Sequence, residues 1–260
     1  MPTTQALQHQ QSKYARTIEC NQLTIGAPFH WLSLAFKDFL SSPLISLVYG
    51  IVFSIIPYFT LQLLSVEASP LFIIPMVVAF TLIGPVFASA LYDVAWEMEK
   101  GHKPSFKHSV KALLRNQISL WAFAFILLLI MIAWVRLASL VFVIFPTTSN
   151  ASLMDMAVFL GIGSLIGGFL SIAVLVISAF TPQIIMERRI DIMTAVFTSA
   201  NAVKRNLLVM CIWGSLIIAA VAIGFLTSAV AFVVIMPLLS FASWHAYIQT
   251  IKTKKQRAFE

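Results

Sequence analysis

The sequence predicts an all-α, polytopic membrane protein with six transmembrane helices arranged as three repeats of an elbow helix followed by a hairpin of two spans. Of its 260 residues, 60% are hydrophobic and only 10% are charged. A soluble core of this size cannot bury that much apolar surface, so the bilayer is expected to be the solvent. Of the seventeen Lys and Arg residues, all except Arg136 fall in four clusters, which lie before Pro43, between Trp96 and Gln117, between Met186 and Asn206, and after Tyr247.

Six apolar stretches are long enough to cross a bilayer, which requires about twenty residues of helix. The predicted spans are Pro43–Ser65, Leu71–Trp96, Gln117–Phe145, Leu153–Met186, Asn206–Leu226 and Ala229–Tyr247. Because Lys and Arg are retained at the cytoplasmic ends of spans, the four basic clusters mark one side of the membrane. Both termini are therefore predicted to be cytoplasmic.

The ends of the chain are polar. Residues 1–24 lack the apolar stretch of a signal peptide and are predicted to form a mostly disordered cytoplasmic tail. Residues 25–251 form the predicted six-span membrane domain, and residues 252–260 form a basic cytoplasmic tail. The two cysteines, Cys20 and Cys211, provide no disulfide framework and no metal motif.

An amphipathic segment leads into the first, third and fifth spans, at residues 28–41, 104–116 and 191–205. Each segment ends on a basic and a polar residue, namely Lys37-Asp38, Arg115-Asn116 and Arg205-Asn206. The closing span of each unit contains a proline that favours a kink, at Pro85, Pro182 or Pro237. This recurrence predicts three copies of an elbow helix followed by two spans.

The elbow helices are expected to lie in the membrane plane, where their basic residues meet anionic lipid headgroups. In the third elbow, the predicted wet face consists of Thr194, Thr198, Asn201 and Arg205. Membrane lipids are therefore the expected partners, and other inner-membrane proteins are a further candidate. Nucleic acid is not expected, because the basic residues flank apolar stretches and do not gather in a soluble domain.

Three stretches resemble a family of predicted bacterial inner-membrane proteins of unknown function, some of which carry a provisional cytochrome c oxidase label. The stretches are GPVFASALYDVAWEMEKGHKPSF, ERRIDIMTAVFTSANAVKRNLLVMCIW and MPLLSFASWHAYIQTI. The tripeptide Trp244-His245-Ala246, followed by Tyr247, is the most specific part. The resemblance implies a multi-pass location in a Gram-negative inner membrane. The chain departs from the family pattern at Ile248-Gln249, where Arg and an acidic or polar residue are expected.

The oxidase label does not fit the histidines of this chain. A haem–copper centre needs several histidines that point inward from membrane spans, and only His245 lies near a predicted span. A catalytic oxidase subunit is therefore excluded, and no cofactor is predicted.

Asp93 and Glu97 lie four residues apart on one helical face at the end of the second span. Ionisable groups in membranes often mark ion or proton paths. Alternatively, they pair with elbow residues Lys107 or Lys111, which is the interpretation we favour.

His245 lies between Trp244 and Tyr247 at the end of the sixth span. It would act as a ligand or proton shuttle if Asp93, His102 or His108 lay beside it. The favoured alternative is that all three aromatic residues belong to an interfacial belt.

Two further features concern helix packing. Arg136 is predicted to pair with Asp155 or Glu67, or to extend to the outer headgroups. Small residues four apart, at Gly163 and Gly167 and at Ser164 and Gly168, favour close approach of helices within the bundle or in a dimer.

The sequence contains no Walker loop, HExxH, GxSxG or paired catalytic carboxylates, so an enzyme is not expected. The favoured function is a non-catalytic scaffold, assembly or lipid-interacting factor. The alternative is a small transporter or channel, in which the proline-containing second, fourth and sixth spans line a path and Asp93 and His245 lie at its inner mouth.

Overall fold

A computed structural model describes residues 17–66, 84, 87–113, 117–144, 153–188 and 190–252. Across these residues the regular structure is helical, apart from one isolated antiparallel bridge between Cys20 and Ile251. The helices are α1 (Ala27–Ser41), α2 (Pro43–Ser65), α3 (87–99), α4 (Phe106–Leu113), α5 (Gln117–Ile144), α6 (Leu153–Ser178), α7 (Thr181–Arg188), α8 (Ile192–Arg205), α9 (Leu207–Leu226) and α10 (Phe232–Thr250).

Five helical stretches in the described part of the chain are long and apolar enough to cross a membrane. They are Pro43–Ser65, Ile118–Leu137, Gly161–Arg188, Leu207–Leu226 and Phe232–Thr250. These stretches correspond to five of the six predicted spans. Most of the predicted second span lies outside the described residues, which include only its end in α3.

The prolines act differently in different spans. Pro57 and Pro237 lie inside α2 and α10, which continue past them. Near Pro182 the chain instead breaks, because α6 ends at Ser178 and α7 begins at Thr181. Pro182 thus occupies the first turn of a new helix, where its missing N–H is not needed. The interruption therefore precedes Pro182, and Pro85 lies outside the described residues.

The segments predicted as elbow helices are helical in the structure, as α1, α4 and α8. Only Ser42 separates α1 from α2, and only Asn206 separates α8 from α9. The side chain of Asp191 caps α8 by accepting a hydrogen bond from the Thr194 amide at 2.9 Å. Such a cap satisfies one of the free N–H groups in the first turn of a helix.

Helix α10 is the centre of the described bundle and packs most extensively against α1 and α2. Phe241, Trp244 and Tyr247 are completely buried along it. Helices α2 and α10 approach each other closely at Gly50, where a Cβ atom would collide with the Val233 carbonyl group. Only glycine allows the two backbones to come this close.

Helices α5 and α6 pack together and present apolar outer faces. Leu165, Phe169 and Ile172 are largely exposed on α6. A Cβ atom at Gly167 would lie 3.4 Å from Nε1 of Trp134 on α5, whereas at Gly163 and Gly168 no atom of the described residues lies within 4 Å of that position. Of these three glycines, Gly167 is therefore the one whose contact with a neighbouring helix is seen in the described part of the chain.

Candidate functional site

The end of α10 forms a buried polar cluster with the helices around it. Residues 244–249, which we call the α10 hub, contact acidic or polar side chains of α1, α3 and α7. Within the hub Trp244 and Tyr247 are completely buried, and His245 is 4% exposed. These side chains are therefore core residues, and the predicted interfacial belt is not what the structure shows. The sequence places them correctly along the helix, but burial depends on the helices packed around it.

His245 pairs with Asp38 of α1. Its Nε2 atom lies 2.7 Å from Oδ2 of Asp38, and the two residues are 207 positions apart in the chain. The hydrogen-bond partner is thus a carboxylate of the first elbow helix. The partners predicted from the sequence were Asp93, His102 and His108. A histidine–carboxylate hydrogen bond away from water is among the stronger polar contacts in a protein. It ties α10 to the last turn of α1.

Asp93 pairs with His108 of α4. Oδ2 of Asp93 lies 2.7 Å from Nδ1 of His108, and Asp93 is completely buried. The predicted partners were Lys107 and Lys111, which are exposed on the same helix. The elbow helix was therefore identified correctly but the residue was not, because the face of α4 that packs inward carries His108.

Glu97, one turn after Asp93, pairs with different residues. Lys100 Nζ and His102 Nδ1 each lie 3.0 Å from one of its carboxylate oxygens. Partial burial raises the pKa of Glu97, but the hydrogen bonds from Lys100 and His102 outweigh this effect and hold its pKa below the usual value. The two carboxylates that share a helical face therefore belong to two separate clusters.

Trp244 and Tyr247 connect the hub to α3 and α7. The Trp244 indole N–H donates to Glu99 at 3.4 Å, and its ring stacks on Tyr92 with centroids 6.3 Å apart. The Tyr247 hydroxyl donates to the Glu187 carboxylate and accepts from Nε of Arg188 at 3.3 Å. Both aromatic residues thus hold charged side chains at the ends of neighbouring helices.

Gln249 holds α1 from a second point. Its Oε1 atom accepts a hydrogen bond from the Trp31 indole at 2.6 Å. Trp31 is completely buried and packs edge-on against Trp213. Gln249 is therefore an internal link between α10 and α1.

The segment from Ile18 to Leu23, here called the N-terminal segment, runs antiparallel to the end of α10. The Asn21 amide donates to the Thr250 carbonyl at 2.8 Å, and the Lys252 amide donates to the Glu19 carbonyl at 3.1 Å. The prediction of disorder is therefore wrong for residues 17–24. Residues 1–16 and 253–260 lie outside the described residues.

The N-terminal segment also covers the polar face of α8. Thr198 Oγ1 accepts from the Ile18 amide at 3.0 Å, and Arg205 donates to the Cys20 carbonyl at 3.1 Å. Asn206 accepts from the Leu23 amide at 2.8 Å and donates to the Asn21 carbonyl at 3.0 Å. Thr198 and Arg205 of the predicted wet face are thus paired with protein backbone, and Thr198 is completely buried.

Cys20 is enclosed by these contacts. Burial raises the pKa of its thiol, although the nearby Arg205 guanidinium opposes the shift. A polar segment of this kind has no hydrophobic periodicity, so its docking has no signal in the sequence.

Of the two remaining charged residues singled out from the sequence, Arg136 lies within the described part of the chain. Arg136 is exposed on α5, and the side chains of its candidate partners Asp155 and Glu67 lie outside the description. Arg115 also lies outside the described residues. Within the described ranges, no group of three or more His, Cys, Asp or Glu side chains could hold a metal ion.

A cavity of about 520 Å³ lies beside the hub. Side chains from α5, α6 and α9 form most of its wall, including Leu127, Trp134, Leu170, Val174, Met210 and Trp213. Polar atoms come from Gln183, Ser243 and Tyr92, among others. Neither histidine–carboxylate pair lines this cavity.

Residues 73–187 match a family model described as a predicted integral membrane protein (DUF2189). The matched region includes the Asp93–His108 pair and Glu187, whereas Asp38 and His245 lie outside it. No curated protein and no solved structure matches the chain. The match and the five apolar helices together indicate a multi-pass integral membrane protein.

Proposed function

We propose that this chain is a six-span bacterial inner-membrane protein with cytoplasmic termini, and that it acts without catalysis as a lipid-interacting scaffold. The observation that carries the proposal is how its ionisable residues are used. Asp38, His245, Asp93 and His108 join helices to one another, whereas the described lining of the cavity is largely apolar and contains no Asp, Glu, Lys, Arg or His. The charged groups thus hold the helices together, and the cavity is suited to apolar chains.

The contacts of the elbow helices support a closed ring of three units. Helix α1 is tied to α10 by Asp38 and His245, and α4 is tied to α3 by His108 and Asp93. Helix α8 is tied to the last turn of α6, where Ser199 Oγ donates to the Val176 carbonyl at 2.9 Å. Each elbow therefore contacts the closing span of the unit before it, and α10 closes the ring on α1.

This arrangement gives the elbows a structural role at one membrane surface. In the proposed topology α1, α4 and α8 lie at the cytoplasmic face, with Lys37, Lys107 and Lys111 available to anionic headgroups. A ring of elbow helices anchored by buried pairs would present a rigid surface to lipid or to another membrane protein.

A transporter is the second candidate, and the two histidine–carboxylate pairs, each with one buried member, favour it. Histidine can change its charge near neutral pH, and a buried carboxylate beside it can exchange the proton. Asp93 lies at the end of the predicted second span and His245 near the end of the sixth. The pairs do not line the cavity, however, which weighs against a continuous path.

Flux measurements separate the two candidates. Purified protein is reconstituted in liposomes with an entrapped pH dye or metal-ion dye, and the parent is compared with Asp93→Asn and His245→Ala. We expect no flux above that of protein-free liposomes for any of the three, since none of the described residues that line the cavity is charged. A protonophore added at the end provides the full-scale signal for the pH dye, and an ionophore does so for the metal-ion dye.

A parental flux that disappears in either variant would replace the scaffold by a transporter. The variants must remain folded for this comparison. Circular dichroism of each reconstituted sample checks that condition.

A further inference from the structure

The cavity between α5, α6, α7 and α9 opens towards the lipid side of the bundle. Trp134 and Ser171 both line it and are exposed on α5 and α6. Both helices also carry exposed apolar residues such as Leu129 and Ile172. Because such faces contact acyl chains in a membrane protein, a lipid can enter the cavity from the side. Its volume of about 520 Å³ is in the range of about 300–1,000 Å³ that is typical of small-molecule sites.

One end of the cavity contains a polar group with an unused acceptor. Gln183 lines the cavity and is 1% exposed. Its Nε2 atom contacts the Ser243 carbonyl at 3.5 Å, which leaves Oε1 as the free end of the amide. Within the described part of the chain, Oε1 has no hydrogen-bond partner. Buried amide oxygens are nearly always hydrogen-bonded, so this atom is suited to a donor that comes from the cavity.

The chemistry of the wall limits what that donor can be. Among the described lining residues none is acidic, basic or histidine. A charged headgroup would therefore be buried without a counter-charge, which is strongly unfavourable. A neutral group that can donate one hydrogen bond meets both conditions, and an apolar chain fills the rest of the space.

We propose that this cavity binds a long-chain lipid with a hydroxyl group, which donates a hydrogen bond to Oε1 of Gln183. The inference rests on the proposed lipid-interacting role and specifies the class of lipid. Tyr92 and Ser243 line the cavity as well, and Ser243 lies next to Trp244 of the hub. The bound hydroxyl group would therefore lie beside the polar cluster that joins the helices.

Tryptophan quenching tests the proposal, because Trp134 and Trp213 line the cavity. The protein is reconstituted in nanodiscs of one phospholipid and titrated with a long-chain alcohol brominated at mid-chain. The probe for comparison is the methyl ether of the same alcohol, which has an equal chain but no donor. We expect the alcohol to bind about fivefold more tightly than the ether, as one hydrogen bond in a protein allows.

Two sets of variants locate the effect. In Gln183→Leu, the difference between alcohol and ether should disappear, while the ether should bind as it does to the parent. Quenching at saturation should fall in Trp134→Phe and in Trp213→Phe. Ser171→Phe, which fills the opening, should prevent quenching, whereas Ser164→Phe, on an exposed site of the same helix outside the cavity, should not.

Equal binding of alcohol and ether by the parent would overturn the proposal, and so would full quenching in Ser171→Phe. The comparison of alcohol and ether binding to the parent protein tests the proposal even if Gln183→Leu fails to fold. Failure here would leave the scaffold proposal intact as long as the liposomes show no flux. A measured flux would instead remove the scaffold proposal whatever the titration shows.

Discussion

At the scale of single residues, the Asp38–His245 pair is the most informative contact in the molecule. It joins an acidic residue near the end of α1 to a buried histidine near the end of α10. Asp38 is 17% exposed at its side chain, so water partly screens it, whereas the histidine side chain is 3% exposed. Removing either partner removes this hydrogen bond from the other. The cost in stability is expected to arise mainly from the buried histidine, since water can reach Asp38.

We expect His245→Ala and Asp38→Ala each to lower the free energy of unfolding by about 1–2 kcal/mol. The double variant should lose clearly less than the sum, because both changes remove the same hydrogen bond. Denaturant titration in detergent micelles, followed by tryptophan fluorescence, measures all three. His30→Ala, on an exposed site of α1, is the control and should change stability by less than about 0.5 kcal/mol. Strict additivity would show that the pair contributes no coupling energy.

At the scale of the helices, the contact between α2 and α10 depends on a missing side chain. Gly50 faces the Val233 carbonyl, and a Cβ atom there would also lie 3.1 Å from Cγ of Pro237. Because the obstacles are backbone and a proline ring, neither can rotate away. The two helices would have to separate to accept any larger residue.

Gly50→Ala should therefore destabilise the protein by about 1–3 kcal/mol, even though alanine is the better helix former. Gly163→Ala is the matched control, since nothing lies within 4 Å of a Cβ atom there. It should be neutral or stabilising by up to about 1 kcal/mol. Thermal unfolding of both variants in one detergent gives the comparison. Equal melting temperatures for the two would mean that α2 and α10 do not approach closely at Gly50.

The N-terminal segment is an element of a different kind, held by hydrogen bonds and not by an apolar face. Asn206 bonds its backbone at Leu23 and Asn21, and Arg205 bonds it at Cys20. Its docking covers the Cys20 thiol, which is 3% exposed. The reactivity of this cysteine therefore reports whether the segment is in place.

Alkylation of Cys20 tests the docking in a Cys211→Ser background. We expect slow reaction with iodoacetamide at pH 8, because burial and a raised pKa both keep the thiol protonated and covered. The rate should rise with pH towards a midpoint above that of a free thiol. Asn206→Ala should accelerate labelling by about tenfold through easier local opening, whereas Lys204→Ala, on an exposed site, should not. Labelling of the parent at the rate of the denatured protein would contradict the docking.

At the scale of the whole molecule, the elbows and the hub gather the polar contacts at one end of the bundle. The rest of the spans presents apolar faces outward, as on α6. The basic clusters predict that the polar end faces the cytoplasm. The topology proposed above depends on that assignment.

Reporter fusions test the topology directly. A reporter that is active only in the periplasm should give high activity after Ser149 and little after His102, Asp191 or Glu260. The reason is that the last three positions adjoin basic clusters, which are retained in the cytoplasm. A second reporter that is active only in the cytoplasm should give the opposite pattern. High periplasmic activity at any of those three positions would refute the six-span arrangement with both ends inside.

The sequence by itself determined where most of the described helices begin and end. Its first predicted span, Pro43–Ser65, is α2, and α1, α5, α8, α9 and α10 lie within a few residues of their predicted ranges. The predicted fourth span, Leu153–Met186, is instead interrupted between Ser178 and Thr181. The reason is that length, apolar content and amphipathic period are properties of a continuous stretch and need no distant partner. The same logic identified Asp93 and His245 as unusual residues for their positions.

Only the tertiary structure decided what those residues contact. His245 pairs with Asp38, Asp93 pairs with His108, and the N-terminal segment docks on α8 and α10. Each partner depends on how far a helix is rotated about its axis and how deep its neighbour lies. The periodicity of apolar residues shows which face of a helix is buried, but it does not show which neighbouring helix packs on that face. A polar segment has no such periodicity, so its sequence does not show which of its sides is buried.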